Sequence, residues 1–244
     1  MTNKLSAVEY HQELAADWDD RYCSGSFKRR ADLFCGSLLP LAPPGGVWLD
    51  AGCGSGYFSR ILAQRQSEVI GLDASKNMIN DARCRAAQAG IENRISFREI
   101  ETVEALPFAR SSFDGCICLS VLEYLPDPFA CIDEIVRVLK PGGFLIISTP
   151  HKWSALRGAQ KLLRAVSWRK QHESIDYLES SHYSTTGTEL RFKLDKRGLK
   201  TVRIAGFDAL FPTWMHSLLA PGLIYTVAQR LPYHGKQASS TAAQ

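Results

Sequence analysis

The stretch VWLDAGCGSGY, running from Val47 to Tyr57, decides the fold. An apolar run of strand character reaches Asp50, turns through Gly52, Gly54 and Gly56, and gives way at once to the helical pattern YFSRILAQRQ. Glycines at such a turn let backbone approach a ligand with no Cβ in between, and the following helix start offers unpaired N–H groups. A tight turn that binds nothing would carry the same glycines, so the neighbouring residues must decide. The next apolar run, EVIGLD, ends on Asp73, where an acid is placed to accept hydrogen bonds from ribose hydroxyls.

Short apolar runs alternate with amphipathic stretches on either side of this unit. GVWLDA, EVIGLD, RISFRE, FDGCICLS and GFLIISTP read as strands. YFSRILAQRQ, SKNMINDARCRAAQAG and DPFACIDEIVRVLK read as helices, the last stopped by Pro141-Gly142-Gly143. Parallel strands need crossover helices, so the alternation predicts a mostly parallel sheet covered on both faces. Thr186 to Glu189 has the pattern of a capping box and opens a helix ending at Gly198. Two more strands, KTVRIAGF and LIYTVAQR, follow, with an aromatic loop (Phe207, Phe211, Trp214) between them. The expected architecture is a Rossmann-like α/β fold with a seven-stranded sheet, a C-terminal antiparallel hairpin and a helical cap. The cap comprises residues 1–40, with helical patterns over Ser6 to Tyr22 and Lys28 to Leu39, and the main domain residues 41–233. An insertion at 151–183 forms a lid, and 234–244 is a polar tail.

Composition narrows the class. Lys and Arg total 29 against 25 Asp and Glu, a net charge of +4, too small a surplus to predict a nucleic-acid partner. The seven cysteines include no CxxC pair, so neither a disulfide framework nor a metal site is expected. The first residues lack the pattern of a secretory signal, and Pro212, His216 and Pro221-Gly222 interrupt the one long uncharged run, Ala209 to Gln229. A cytoplasmic protein, peripheral to a membrane at most, is the expectation. Cys116 and Cys118 are read onto opposite faces of their strand.

Nicotinamide cofactors compete for a glycine loop of this kind, but their GxGxxG spacing differs from the GxGxG found here, and no later segment suggests hydride transfer. A ligand without phosphate suits the loop better. Four motifs in order carry a resemblance: LDAGCGSG, VIGLDAS followed by Met78, EALPF with SSFDGCICLSVLEYLPDP, and LKPGGFLIISTP. Over Trp48 to Pro150 the chain resembles the class I S-adenosylmethionine-dependent methyltransferases.

The resemblance implies a methyl donor, S-adenosyl-L-methionine, and a set of contacts. Gly52 and Gly54 would lie against its methionine part, with Cys53 beside them and Asp50 at the floor. Asp73 would hold the ribose, Ala74 and Met78 would flank the adenine, and Leu119 and Ser120 would border the methyl group. Relatives commonly have aspartate where this chain has Thr102, which puts the adenine contact on Thr102, Glu101 or the Val103 amide. Tyr124 stands where many relatives have histidine. Tyr22, in the segment preceding the sheet, is placed to reach the donor's carboxylate.

An acceptor hydroxyl or amine must lose a proton, so a base helps. His151, just past the fifth strand, and His182, in SSHYSTT, are the first candidates, with Glu123 a further one; a surface or capping histidine would look the same. Tyr10, His11, Trp18 and Tyr22 recur near helical spacing, the mark of a packing face.

The stretch from Lys152 to Lys170 carries six cations and no acid, leaving the rest of the chain at −2. Leu156, Ala159, Leu163 and Val166 fall on one helical face and Arg157, Lys161 and Arg164 opposite. It reads either as a lid with a solvated basic face or as a contact for an anionic membrane or an acidic carrier protein. The region loosely resembles the insertion of the ubiquinone-biosynthesis O-methyltransferases, which implies a small lipophilic or aromatic hydroxyl acceptor. Methylation of nitrogen or carbon, RNA or protein substrates, and a non-catalytic cofactor-binding role are the alternatives. LSVLEY lacks the Asn/Asp-Pro-Pro-Tyr element of the nucleic-acid amino-methylating enzymes.

Overall fold

A computed structural model describes residues 8, 9, 12, 14–158, 181–210 and 220–232. Tyr10, His11, Phe211, Trp214, most of the basic stretch and the tail lie outside the described residues.

The sheet has seven strands: β1 (Val47–Ala51), β2 (Glu68–Asp73), β3 (Ile95–Glu99), β4 (Phe113–Leu119), β5 (Leu139–Pro150), β6 (Leu199–Phe207) and β7 (Leu223–Arg230). Their order is β3-β2-β1-β4-β5-β7-β6. The first five pair in parallel, while β7 runs antiparallel between β5 and β6. The strand order reverses beside β1, with β2 on one side and β4 on the other, and ligands of open α/β sheets bind at such a switch point. The helices are α1 (Gly25–Leu33), α2 (Tyr57–Gln64), α3 (Lys76–Gln88), α4 (Pro128–Val138) and α5 (Gly187–Asp195).

Strand periodicity sorts the side chains into a core on each face. Trp48, Val69, Phe97, Ile117, Ile146 and Val227 share one cluster with residues of α1, α2 and α3. Leu49, Leu72, Leu145, Ile147 and Ala228 share the other with residues of α4 and α5. Cys116 and Cys118 are both buried in this second cluster, not on opposite faces, because positions i and i+2 of a strand point the same way.

The capping box is present: Thr186 Oγ1 accepts from the Glu189 amide at 3.2 Å and the Thr186 amide donates to Glu189 Oε2 at 3.1 Å. Other boundaries differ from expectation. The fourth helix stops at Val138 instead of running to Lys140, because Leu139 already pairs with Phe113. Lys140 is held to Asp114 at 2.8 Å, and Asp114 also accepts from the Val47 amide at 2.9 Å, which tethers the start of β5 to its neighbours. The helix expected over Ser6 to Tyr22 is replaced in its described C-terminal part by 3-10 turns at Ala15–Asp17 and Asp19–Cys23. α1 gives way to a π turn at Phe34–Leu38. Tertiary contacts made by Asp19 and Tyr22 set this local geometry, as the site shows.

Candidate functional site

The glycine loop leaves β1 at Ala51 and enters α2 through Gly56, whose φ is +73°. Gly52 has φ +82°, and a Cβ there would sit 2.2 Å from Val121 Cγ2, so only glycine fits between the loop and the segment after β4. The amides of Gly52 and Cys53 both donate to the Leu72 carbonyl at 2.8 Å, and the Gly56 amide donates to the Cys53 carbonyl at 2.9 Å. The Gly54 amide donates to Asp73 Oδ2 at 2.8 Å, while Ser75 donates its amide to Asp73 Oδ1 at 2.8 Å. These amides are spent on strand tips, not collected into a phosphate cradle. With those amides engaged the loop disfavours a pyrophosphate, and Asp73 on the cavity wall suits the ribose of a nucleoside.

Asp50 is buried beneath the loop and accepts from Ser59 Oγ at 2.6 Å. Burial pushes its carboxyl up to about 7, against the Ser59 hydrogen bond and with help from the charge of Asp73. Cys53 is also buried, and burial holds its thiol well above the ordinary value, so it is a packing residue and not a nucleophile.

The segment before the sheet folds over the loop. Asp19 accepts from Ser55 Oγ at 2.8 Å and from Arg60 at 2.7 and 2.8 Å, and lies 3.5 Å from Arg85. The Tyr22 ring stacks on Tyr57 with centroids 4.0 Å apart, and burial raises its phenol, which stays protonated and a donor. Trp18 packs edge-on against Phe27 at 5.8 Å, with the Arg21 guanidinium 4.8 Å over the indole.

The far wall begins at the tip of β4. Ser120 adopts φ +57°, a rare conformation for a residue with a Cβ. Its amide donates to Ser148 Oγ at 2.8 Å and its hydroxyl accepts from Arg30 Nη2 at 2.7 Å. Arg30 Nε donates to Tyr225 Oη at 2.8 Å, so one side chain of α1 ties the segment above the loop to β4 and β7.

These elements enclose a cavity of about 1410 Å³. Tyr22, Asp50, Gly52, Cys53, Gly54, Asp73, Ala74, Met78, Thr102, Val103, Leu119 and Ser120 all line it, so every position expected to hold the donor faces one space. Thr102 Oγ1 donates to Glu104 Oε2 at 3.2 Å and accepts from the Glu104 amide at 3.1 Å. The hydroxyl at the position where relatives carry aspartate is thus engaged in its own turn.

His151 and His182 are not among the lining residues. They border a separate cavity of about 310 Å³, together with Trp153 and Tyr183. His151 Nδ1 accepts from the Trp153 amide at 3.1 Å, a capping role, and burial lowers its pKa. His182 is exposed, and its amide donates to the Glu123 carbonyl at 2.7 Å. The bridge between His151 and Thr185 draws the two segments together, away from the glycine loop. Glu123, Arg30 and Arg157 do line the large cavity. Sequence reading gave Glu123 a minor place, took Arg157 for part of a basic helical face, and passed over Arg30, which no motif marks.

The family described as methyltransferase domain matches residues 49–147. The ubiquinone biosynthesis O-methyltransferase of Hahella chejuensis is 32% identical over 188 residues, covering 72% of this chain and 76% of that protein. The protein of the same name from Alkalilimnicola ehrlichii is 36% identical over 121 residues, and the match spans only 48% of its length. Among solved structures, a chain in the complex of the Haloferax volcanii Trm112 methyltransferase activator with a methyltransferase superposes with a TM-score of 0.68 at 22% identity, covering 91% of this chain and 98% of that one. The [4+2]-cyclase SpnF superposes with a TM-score of 0.66 at 17% identity, covering 93% and 96%. Both likenesses are of fold alone, and a cyclase among them shows why the site has to carry the functional argument. With the family match, the Hahella relative and a site whose donor set fits the donor, the chain belongs to the S-adenosylmethionine-dependent methyltransferases, and its cofactor is S-adenosyl-L-methionine.

Proposed function

We propose that the protein transfers a methyl group to the hydroxyl of a small lipophilic or aromatic acceptor. The size and lining of the large cavity carry this reading. At about 1410 Å³ it exceeds the ~300–1,000 Å³ that a single bound ligand occupies, which leaves room for an acceptor beside the donor. The lining includes the apolar side chains of Phe27, Leu156, Phe207 and Leu223. The name of the Hahella relative, a ubiquinone biosynthesis O-methyltransferase, supports a hydroxyl on a lipophilic molecule.

In this reading Asp73, at the tip of β2 on the cavity wall, receives the ribose hydroxyls beside the Gly54 and Ser75 amides that it accepts. Ala74, Met78, Thr102 and Val103 border the adenine, and Gly52, Cys53 and Gly54 the methionine part above Asp50. Leu119 and Ser120 border the methyl group, and Tyr22 donates to the carboxylate. Residues 1–40 act as a cap on a domain spanning 41–233. When bound, the donor supplies an electrophilic methyl on a sulfonium. The protein's own contribution is alignment and exclusion of water, since in-line displacement with loss of charge gains little from a strong electrophilic catalyst. Trp18, Tyr22 and Arg30 serve that purpose by closing the cap over the loop.

Incubation with radiolabelled methyl donor and a fractionated cell extract tests this reading. Label that partitions into organic solvent supports a lipophilic acceptor, and label retained on RNA or protein overturns it.

A further inference from the structure

Glu123 lies in the turn Leu122–Tyr124 directly after β4, 3% exposed, with its side chain on the wall of the large cavity. Among the described residues its Oε2 has no hydrogen-bond partner. A buried carboxyl oxygen left unpaired is costly, yet the backbone around it is tied down. The Glu123 carbonyl accepts from the His182 amide at 2.7 Å and from the Tyr183 amide at 3.4 Å, while the Tyr124 amide donates to the Val121 carbonyl at 2.9 Å. Asp50, a buried carboxyl on the same cavity, is satisfied by Ser59, so the contrast within one site is plain.

The charged groups facing Glu123 are Arg157, from the segment after β5, and Arg30 of α1; the buried Cys118 thiol of β4 is a further titratable neighbour. Arg30 is committed to Tyr225 and Ser120, and Arg157 donates to Ser181 Oγ at 3.1 Å. Burial pushes the Glu123 carboxyl up to about 7, with a hydrogen bond from its own backbone amide and the charges of Arg157 and Arg30 pulling it back. Both protonation states are accessible near neutrality, as a proton acceptor needs.

We propose that Glu123 is a catalytic residue whose Oε2 takes the hydroxyl proton of a phenol-like acceptor seated beyond Ser120. This rests on the methyl-transfer reading above and assigns its acceptor side. As the new O–C bond forms, the acceptor's O–H bond breaks toward Oε2, and the S–C bond that breaks leaves its electron pair on sulfur. Glu123 then returns the proton to solvent. The two arginines stabilise the transient phenolate, and the apolar part of the lining takes the rest of the acceptor.

The test uses 2-hexyl-4-nitrophenol, whose phenolate absorbs in the visible, with protein saturated by S-adenosylhomocysteine at mildly alkaline pH. In the wild type the ionised Glu123 carboxylate, next to the probe's hydroxyl, holds the bound probe as its phenol. In Glu123→Gln, with S-adenosylhomocysteine affinity unchanged, the like charge is gone and the bound phenolate-to-phenol ratio rises at least about tenfold, the equivalent of one unit of pKa. Glu123→Asp keeps the charge but draws it back from the acceptor, so it raises the ratio less, and it carries the test if the glutamine variant does not fold. Equal phenolate in the wild type and the variant overturns the proposal, as does failure of the loaded wild type to bind the probe. Failure of the wild type to bind S-adenosylhomocysteine sinks the methyltransferase reading itself, which keeps the two failures apart.

Discussion

Asp19 and Arg60 form a two-pronged ion pair, at 2.7 and 2.8 Å, that fastens the turns before the sheet to the helix after the glycine loop. Both side chains are less than 15% exposed, and Ser55 of the loop itself donates to the same carboxylate. Breaking such a pair falls between the ~1 kcal/mol of an exposed pair and the ~3–5 kcal/mol of a buried one. Asp19→Asn should therefore lower stability by about 2 kcal/mol and loosen the cap. Urea unfolding reads the first effect and calorimetric titration with S-adenosylhomocysteine the second. Unchanged affinity in the variant would show that the cap takes no part in holding the donor.

Asp73 does two jobs in the structure. It accepts the amides of Gly54 and Ser75, which holds the loop's shape, and it lines the large cavity. Hydrogen bonds to a charged group contribute about 1.5–3 kcal/mol each. Asp73→Ala should reduce S-adenosylhomocysteine affinity at least about tenfold and also lower the melting temperature. Asp73→Asn, which keeps one acceptor oxygen, should bind at an intermediate level. Equal affinity for all three proteins would move the ribose site elsewhere.

Gly52 gives a sharper version of the same test. An alanine there meets Val121 at 2.2 Å and must also hold φ +82°. Overpacking of this kind costs about 1–3 kcal/mol, and left-handed strain adds about 1 kcal/mol or more. Val121→Ala alone is a cavity change in a partly buried residue. Combined with Gly52→Ala it should restore the overpacking part and not the strain, so the double variant should be more stable than Gly52→Ala and less than Val121→Ala. Full recovery would mean that the positive φ carries no cost.

The buried carboxyls make stability depend on pH in an unusual direction. Asp50 and Glu123 both rise to about 7 in the folded state, so between about 4 and 7 the native protein binds more protons than the unfolded chain. Stability should then fall as pH rises through that window. The carboxyls of Asp114 and Glu134, held low by Lys140 and Arg137 against the cost of burial, act oppositely but only at lower pH. His151, lowered by burial, works the other way just below its ordinary value, damped by its exposure. Asp50→Asn should flatten the decline. A slope identical in wild type and variant would place the Asp50 carboxyl near its ordinary value.

The strands were legible because apolar runs of five to nine residues between turn signals have few other uses, and each expected run is found as a strand. The convergence of the glycine loop and Asp73 on one cavity was legible for a related reason: both are contiguous with strand ends, so sequence position fixes their place. Residues whose position depends on distant contacts were not. The Ser6 to Tyr22 pattern is amphipathic, but Asp19 and Tyr22 are pulled onto Ser55, Arg60 and Tyr57, and local propensity gives way. His151 looked well placed at a strand end until the Thr185 bridge drew it into a different cavity. Glu123 looked like any acid in a turn, because burial of a single carboxylate leaves no periodic trace.

The basic stretch offers the last prediction. Lys152 to Lys170 holds six cations, and the described part already shows an exposed Trp153, 69% accessible, with the Lys152 ammonium 5.5 Å over its ring. A cation beside an exposed indole suits an anionic interface, where each basic residue near the surface contributes about 1 kcal/mol. Leu156 and Arg157 also reach the large cavity, so a surface that captured this stretch would lie beside the acceptor's entrance. Among the described residues no helix is long and apolar enough to cross a membrane. Sedimentation with vesicles should retain the wild type on phosphatidylserine at low salt, release it at high salt, and show little retention on neutral lipid. Lys161→Glu with Arg164→Glu, both in the basic stretch, should abolish retention without altering S-adenosylhomocysteine binding. A wild type that stays in the supernatant with anionic vesicles at low salt would make this charge a solvated lid face and nothing more.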